Sequence, residues 1–202
     1  MSNKERNIDS LDEGRLVSLL KQGYEEAFRI LLKRYEKKVF GIAYGITLDR
    51  EESLEIVQEV FLKVYQKINS FREEAGLSTW IHRITVNQCL NWQRRWKRRF
   101  RWHHQPLERE GAGDYPESGT DEHCPETLIQ KKELGKMLQE KLRELPEEAR
   151  AVFVLKEVEG LSYHEISRVL NIKKGTVSSR LFYARQRLKE SLKKYLDEEE
   201  IP

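Results

Sequence analysis

The chain has 202 residues, 35% of them charged and 38% hydrophobic, with a formal net charge of +3. That length holds one large domain or two small ones, and that apolar share supports small helical cores, which excludes an intrinsically disordered chain. No apolar run nears the ~20 residues of a membrane span, and the N-terminal "MSNKERNIDS" lacks the apolar core of a signal peptide, so a cytoplasmic protein is expected.

Helical periodicity runs along almost the whole chain and strand alternation does not, so the fold class is all-α. Leu16, Leu19 and Leu20 open a short helix that Gly23 ends. Ala27, Phe28, Leu31, Leu32, Tyr35, Val39 and Ala43 mark a longer one. Asp49 caps a third, with the stripe Leu54, Val57, Val60, Phe61, Val64, Tyr65 and Ile68. "NSFREEAGLST" (69–79) reads as a loop, and Ser78 or Thr79 as the cap of a fourth helix carrying Trp80, Ile81, Ile84, Gln88, Cys89 and Trp92 into a basic stretch.

Between 105 and 126 stand seven Asp or Glu, three Gly and three Pro against one Arg, the composition of a flexible linker. Leu128, Leu134, Met137, Leu138, Leu142 and Leu145 then follow helical spacing. Pro146 starts another helix, lined by Ala151, Val152, Val154, Leu155 and Val158 and ended by Gly160. The domains expected are 12–103 and 126–196, joined by an acidic linker at 104–125.

"LSYHEISRVLNIKKGTVSSRLFYARQRL" (161–188) reads as two short helices about a tight turn. Ile166, Val169 and Leu170 face inward from the first, Ile172 plugs the turn, and Val177, Leu181, Ala184 and Leu188 give the second its buried stripe. Thr176 is the expected N-cap. Lys173 and Lys174 before it, with free amides at the helix start, suit a phosphate. Ser178, Ser179, Arg180, Phe182, Tyr183 and Arg185 remain on the outer face, as in a helix that reads a major groove. An ordinary helix pair with a solvated basic face would show the same periodicity.

"NWQRRWKRRFRWHH" (91–104) sets six Lys or Arg between 94 and 101, among them Arg94, Arg95, Lys97 and Arg98, amid Trp92, Trp96, Phe100 and Trp102. Cations that neutralise phosphates beside rings that stack on bases point to nucleic acid. Phe71, Trp80 and Asn87 lie in and just after the preceding loop, and together they suggest a surface that holds an unstacked base.

"SLEIVQEVFLKVYQKINSF", then "STWIHRITVNQCLNWQRR", then "LSYHEISRVLNIKKGTVSSRL" resemble the second and fourth regions of a bacterial RNA polymerase sigma factor of the extracytoplasmic-function group, over roughly residues 15 to 100 and 126 to 195. The resemblance implies two small helical domains and a protein that binds core polymerase and melts promoters without catalysing a reaction itself. Leu54, Glu55, Gln58 and Glu59 match the surface that docks on the clamp of the largest polymerase subunit; the flap of the second-largest subunit is the further contact. Phe71, Trp80 and Asn87 match positions that capture a flipped base of the minus-ten element. The C-terminal helix-turn-helix resembles the reader of the minus-thirty-five element, and an anti-sigma factor is an expected partner. Glu55 and Asn91 stand where relatives usually have Asp, and Ser178 and Tyr183 where Arg is frequent, which leaves the preferred DNA sequence open.

A DNA-binding repressor would use the same C-terminal half but leave the aromatic-basic helix unexplained. An enzyme needs a catalytic cluster, and no GxxxxGK, HExxH or CxxC is present. No cofactor, metal or small-molecule substrate is expected: Glu55 and Glu59 lack matching Glu-xx-His partners, and His103, His104, His123 and Cys124 fall at a basic helix end and in a polar linker. Cys89, in an apolar stripe, reads as a small core residue.

Overall fold

The computed structural model describes residues 11–72, 75–100 and 125–199, and every regular element among them is helical. The elements are α1 (Glu13–Lys21), α2 (Glu25–Thr47), α3 (Arg50–Lys67), a 3-10 turn (Ile68–Ser70), α4 (Leu77–Phe100), α5 (Pro125–Glu144), α6 (Glu147–Glu157), α7 (Tyr163–Leu170) and α8 (Lys174–Glu199). The expected linker apart from Pro125, and with it His123 and Cys124, lies outside the described residues, as do Trp102, His103 and His104. No helix among the described residues is long and apolar enough to cross a membrane.

Local chemistry sets most of the helix ends. Asp12 caps α1 by accepting from the Gly14 N–H at 3.2 Å, and Gly23, at φ +80°, turns the chain into α2. Leu48 ends α2 in the left-handed region, at φ 57°, and Asp49 starts α3 by accepting from the Glu52 N–H at 3.0 Å. Ser162 and Glu165 close a reciprocal capping box on α7, at 3.2 and 2.8 Å. Ser162→Ala is expected to cost about 1 kcal/mol, read as a lower denaturant midpoint at unchanged slope.

Two sequence expectations are corrected here. Ser78 and Thr79 do not cap α4; the helix starts at Leu77, whose N–H donates to Glu13 Oε1 of α1 at 2.7 Å, so its cap comes from tertiary structure. Leu54 and Tyr65 are not in the inner stripe of α3, being 46% and 62% exposed. At ~100° per residue the buried arc centres between Val60 and Val64, which places Leu54 and Tyr65 on one shoulder and Ile56 on the other. The neighbouring helices cover the Ile56 shoulder.

α2, α3 and α4 pack around Leu31, Val39, Ile42, Val60, Val64, Ile81 and Cys89. Burial pushes the Cys89 thiol up to about 12, so it behaves as an inert apolar group. Val152, Val154, Leu155, Ile166, Val169, Val177 and Leu181 from the C-terminal helices belong to the same continuous core. α2 therefore packs on α6 as well as on α3, and α4 packs on α7.

Candidate nucleic-acid interface

α4 carries the N-terminal half of the interface because its two faces differ. Ile81, Thr85, Val86, Cys89 and Gln93 are buried, and Gln93 Nε2 donates to the Ile46 carbonyl at 3.0 Å, which fixes α4 against α2. Arg94, Arg95, Trp96, Lys97 and Arg98 are exposed, and Trp92 is half-buried against the core. Arg94, Arg95, Lys97 and Arg98 line an open groove with Asn91, Gln88, Lys63 and Glu59. Inside it Lys63 Nζ donates to Gln88 Oε1 and Gln88 Nε2 to Glu59 Oε2. Arg94 Nη1 donates to Asn91 Oδ1 at 3.0 Å, and Arg95 lies 4.0 Å from Glu59. The cations are thus held in a row by short polar partners, a layout suited to a phosphate backbone.

Phe71 is 6% exposed, tilted at 41° against the Trp80 ring with centroids 5.1 Å apart and Lys21 Nζ 6.0 Å from its own centroid. Sequence reasoning put Phe71 on a base-holding surface; its ring is instead packed into the domain as the floor of that surface. Trp80 is half-buried and Asn87 exposed. A second cleft of about 400 Å³, roomy enough for a base, is bounded by Phe71, Trp80, Arg72, Arg83, Arg168 and Asn171. Arg72 and Arg83 are not among the residues expected here from sequence, although Arg83 sits three residues after Trp80 and so on the same helical face.

On α3, Leu54, Glu55, Gln58 and Glu59 all point outward, joined by Leu62 at 56% exposure, while Val57 and Phe61 face the core. That is an apolar patch rimmed by carboxylates.

In the C-terminal half, Thr176 is not the N-cap. The Lys173 carbonyl accepts from the Thr176 N–H at 2.9 Å and the Val177 N–H at 3.1 Å, so α8 begins at Lys174 and Thr176 falls in its first turn. Lys173 and Lys174 remain exposed at the positive end of the helix. Val177, Leu181, Ala184 and Leu188 are buried as expected, which turns Ser178, Ser179, Phe182 and Tyr183 outward; Phe182 is 71% and Tyr183 43% exposed. Arg180 is half-buried. Arg185 is exposed but held by Glu157 Oε1, with Nε at 3.0 Å and Nη2 at 2.6 Å. Among the described residues no group of three His, Cys, Asp or Glu could hold a metal ion.

Known proteins are similar to this chain in sequence and in fold. Residues 31–99 match the family described as Sigma-70 region 2 and residues 135–188 the family described as Sigma-70, region 4. The chain is 34% identical to the ECF RNA polymerase sigma-E factor of Haemophilus influenzae over 91% of this chain and 97% of that one. It is 31% identical to the ECF RNA polymerase sigma factor SigW of Bacillus subtilis over 88% and 95%. The sigma factor RpoE of Bartonella quintana, solved with the anti-sigma factor NepR, has the same fold at a TM-score of 0.67 and 21% identity, over 82% of this chain and 96% of that one. With both sigma regions present in order and full-length relatives above 30% identity, the chain belongs to the extracytoplasmic-function sigma factors of bacterial RNA polymerase.

Proposed function

We infer that this protein binds core RNA polymerase in the cytoplasm and directs it to promoters, reading duplex with α8 and holding parted DNA with α4 and the loop before it. The observation that carries the reading is the pairing of two unlike faces in one chain: an outward α8 surface of serines, Arg180 and aromatic rings, and an α4 row of cations beside the Phe71–Trp80 cleft. The first suits base edges and methyl groups in a major groove, the second phosphates and an unstacked base. The chain makes and breaks no bond itself; taking a base from the stack costs a few kcal/mol, which stacking and phosphate contacts offset.

Within this reading Leu54, Glu55, Gln58 and Glu59 dock on the clamp of the largest subunit, and the C-terminal domain meets the flap of the second-largest. An apolar patch edged with carboxylates fits a partly basic helix pair. An anti-sigma factor would hold the protein inactive by covering these surfaces. The domain limits 12–103 and 126–196 enclose both matched regions.

Run-off transcription with core polymerase on a promoter library tests the whole reading: defined starts that depend on the protein are expected, and their absence rejects it. Lys173→Ala with Lys174→Ala should weaken promoter binding by the holoenzyme alike across sequences. The log–log salt slope should fall by about two, one for each phosphate no longer neutralised, measured as holoenzyme binding between low and moderate salt.

A further inference from the structure

We propose that Glu157 of α6 is a positioning residue for promoter reading. It holds the Arg185 guanidinium so that its outer edge meets one guanine of the duplex element, and so sets which base pair is accepted there. This rests on the sigma-factor reading. It concerns the C-terminal helices alone, where α6 and α8 pack on each other.

Arg185 starts from an ambiguous place. Val177, Leu181, Ala184 and Leu188 turn one side of α8 into the core, while Ser179, Phe182 and Tyr183 lie on the outer side. At ~100° per residue Arg185 stands about 60° round the helix from Phe182 and about 100° from Ala184, on the shoulder between the two. A long side chain there sweeps both the groove and the phosphates along its rim. A guanidinium serves either one, as a charge for any phosphate or as a fork for O6 and N7 of a guanine. Only the fork carries sequence information.

Glu157 removes the ambiguity. It is the last residue of α6, and its Oε1 accepts from Arg185 Nε at 3.0 Å and from Nη2 at 2.6 Å. Both donors belong to one edge of the planar guanidinium, so that edge is taken and the plane is fixed. The outer edge, formed by Nη1 and the second Nη2 hydrogen, is the pair of parallel donors that O6 and N7 of a guanine accept. Phe182, three residues before Arg185 and 71% exposed, stands on the same flank to meet a thymine methyl beside it.

Stability is not what the pair supplies. The Arg185 and Glu157 side chains are 52% and 37% exposed, and an ion pair that wet adds little to the folded state. Nor does a carboxylate beside the reading face raise affinity, because it repels the phosphates that draw the protein to DNA. What it supplies is direction. An arginine already held in its reading geometry loses less freedom on binding, and at a wrong sequence it reaches a phosphate only by giving up Glu157, a penalty against that sequence.

Holoenzyme binding to promoter duplexes varied across the minus-thirty-five element gives the test. The parent should prefer guanine at one position, and Arg185→Ala and Glu157→Ala should each relax that preference roughly 5- to 150-fold and leave the other positions as in the parent. Glu157→Ala should at the same time bind unrelated duplex more tightly than the parent, with a log–log salt slope steeper by about one as the released guanidinium takes a phosphate. A purely structural loss would weaken both kinds of binding. In an Arg185→Ala background, Glu157→Ala should relax that position no further. Should Glu157→Ala fail to fold, Arg185→Lys decides: it keeps the charge and lacks the fork, so it should relax the same position while binding unrelated duplex at least as well. A folded Glu157→Ala or Arg185→Ala protein with the parent's preference, losses that add in the double variant, or an Arg185→Lys protein as selective as the parent would each overturn the proposal. A parent holoenzyme that selects no base at any position defeats the sigma-factor reading and the proposal with it, whereas a selective parent matched by Glu157→Ala defeats the positioning role alone.

Discussion

Phe71→Ala is expected to destabilise the protein by about 3 kcal/mol, the cost of emptying a buried aromatic site, and to lower Tm by roughly 6 to 12 °C for a chain of this size. The ring is 6% exposed and lies against Trp80, with Lys21 Nζ 6.0 Å from its centroid. Removing it deletes the apolar packing and the ring pair together. Any loss of open complexes in this variant therefore mixes two causes. Asn87→Ala separates them. Asn87 is exposed on the same face of α4, so its truncation should shift stability by less than about 0.5 kcal/mol. If Asn87 holds an unstacked base, the truncation forfeits about 1 to 3 kcal/mol of that hold, roughly a 5- to 150-fold drop in open complexes. Permanganate reactivity of promoter thymines, measured beside Tm, gives both readouts. Parent-like reactivity in Asn87→Ala would remove it from the interface.

The contrast shows which parts of the structure the residues announce. Gly23, Asp49, Pro146 and Gly160 mark helix ends by local chemistry, and each stands at an end in the fold. The α8 stripe of Val177, Leu181, Ala184 and Leu188 is legible because only one face of that helix is covered. Where a contact comes from far along the chain, local rules mislead. Leu77 begins α4 on the carboxylate of Glu13, 64 residues away. Local rules also fail close at hand: α8 begins at Lys174 on the Lys173 carbonyl, so Thr176 falls inside its first turn. Leu54 lies about 100° from the centre of the α3 stripe and Ile56 about 60° on the other side, and neighbouring helices cover the latter. The packing of α2 on α6 is illegible for the same reason: apolar positions on these helices look alike whether they pack within a domain or across two. Gly45 in the interior of α2 is a readable hint, since a glycine there needs a packing reason, and a Cβ at that position would meet Val154 Cγ2 of α6 at 2.8 Å.

Acidification is expected to weaken this closed structure by up to about 3 kcal/mol through His82 alone. Burial pushes the imidazole from its ordinary 6.5 down to about 4, Lys38 pushes the same way, and Glu165 across the contact opposes them. Protonation thus costs more in the folded protein than in a state where the ring meets water. The stabilisation is fully present above pH 6.5 and is lost as pH falls through the window from 6.5 to about 4, because the solvated ring binds its proton first. Glu165 is itself held below the usual carboxylate range by its hydrogen bond to Ser162. His82→Leu should raise stability at neutral pH and flatten its dependence between pH 6.5 and 4, measured as denaturant midpoints at each pH. Because His82 lies where α4 meets α7, the first response to acid should be separation of the domains: the radius of gyration rises near pH 5 while helical circular dichroism holds. A parent and a His82→Leu protein with the same pH profile would show that the buried ring is not what loosens the contact of α4 with α7.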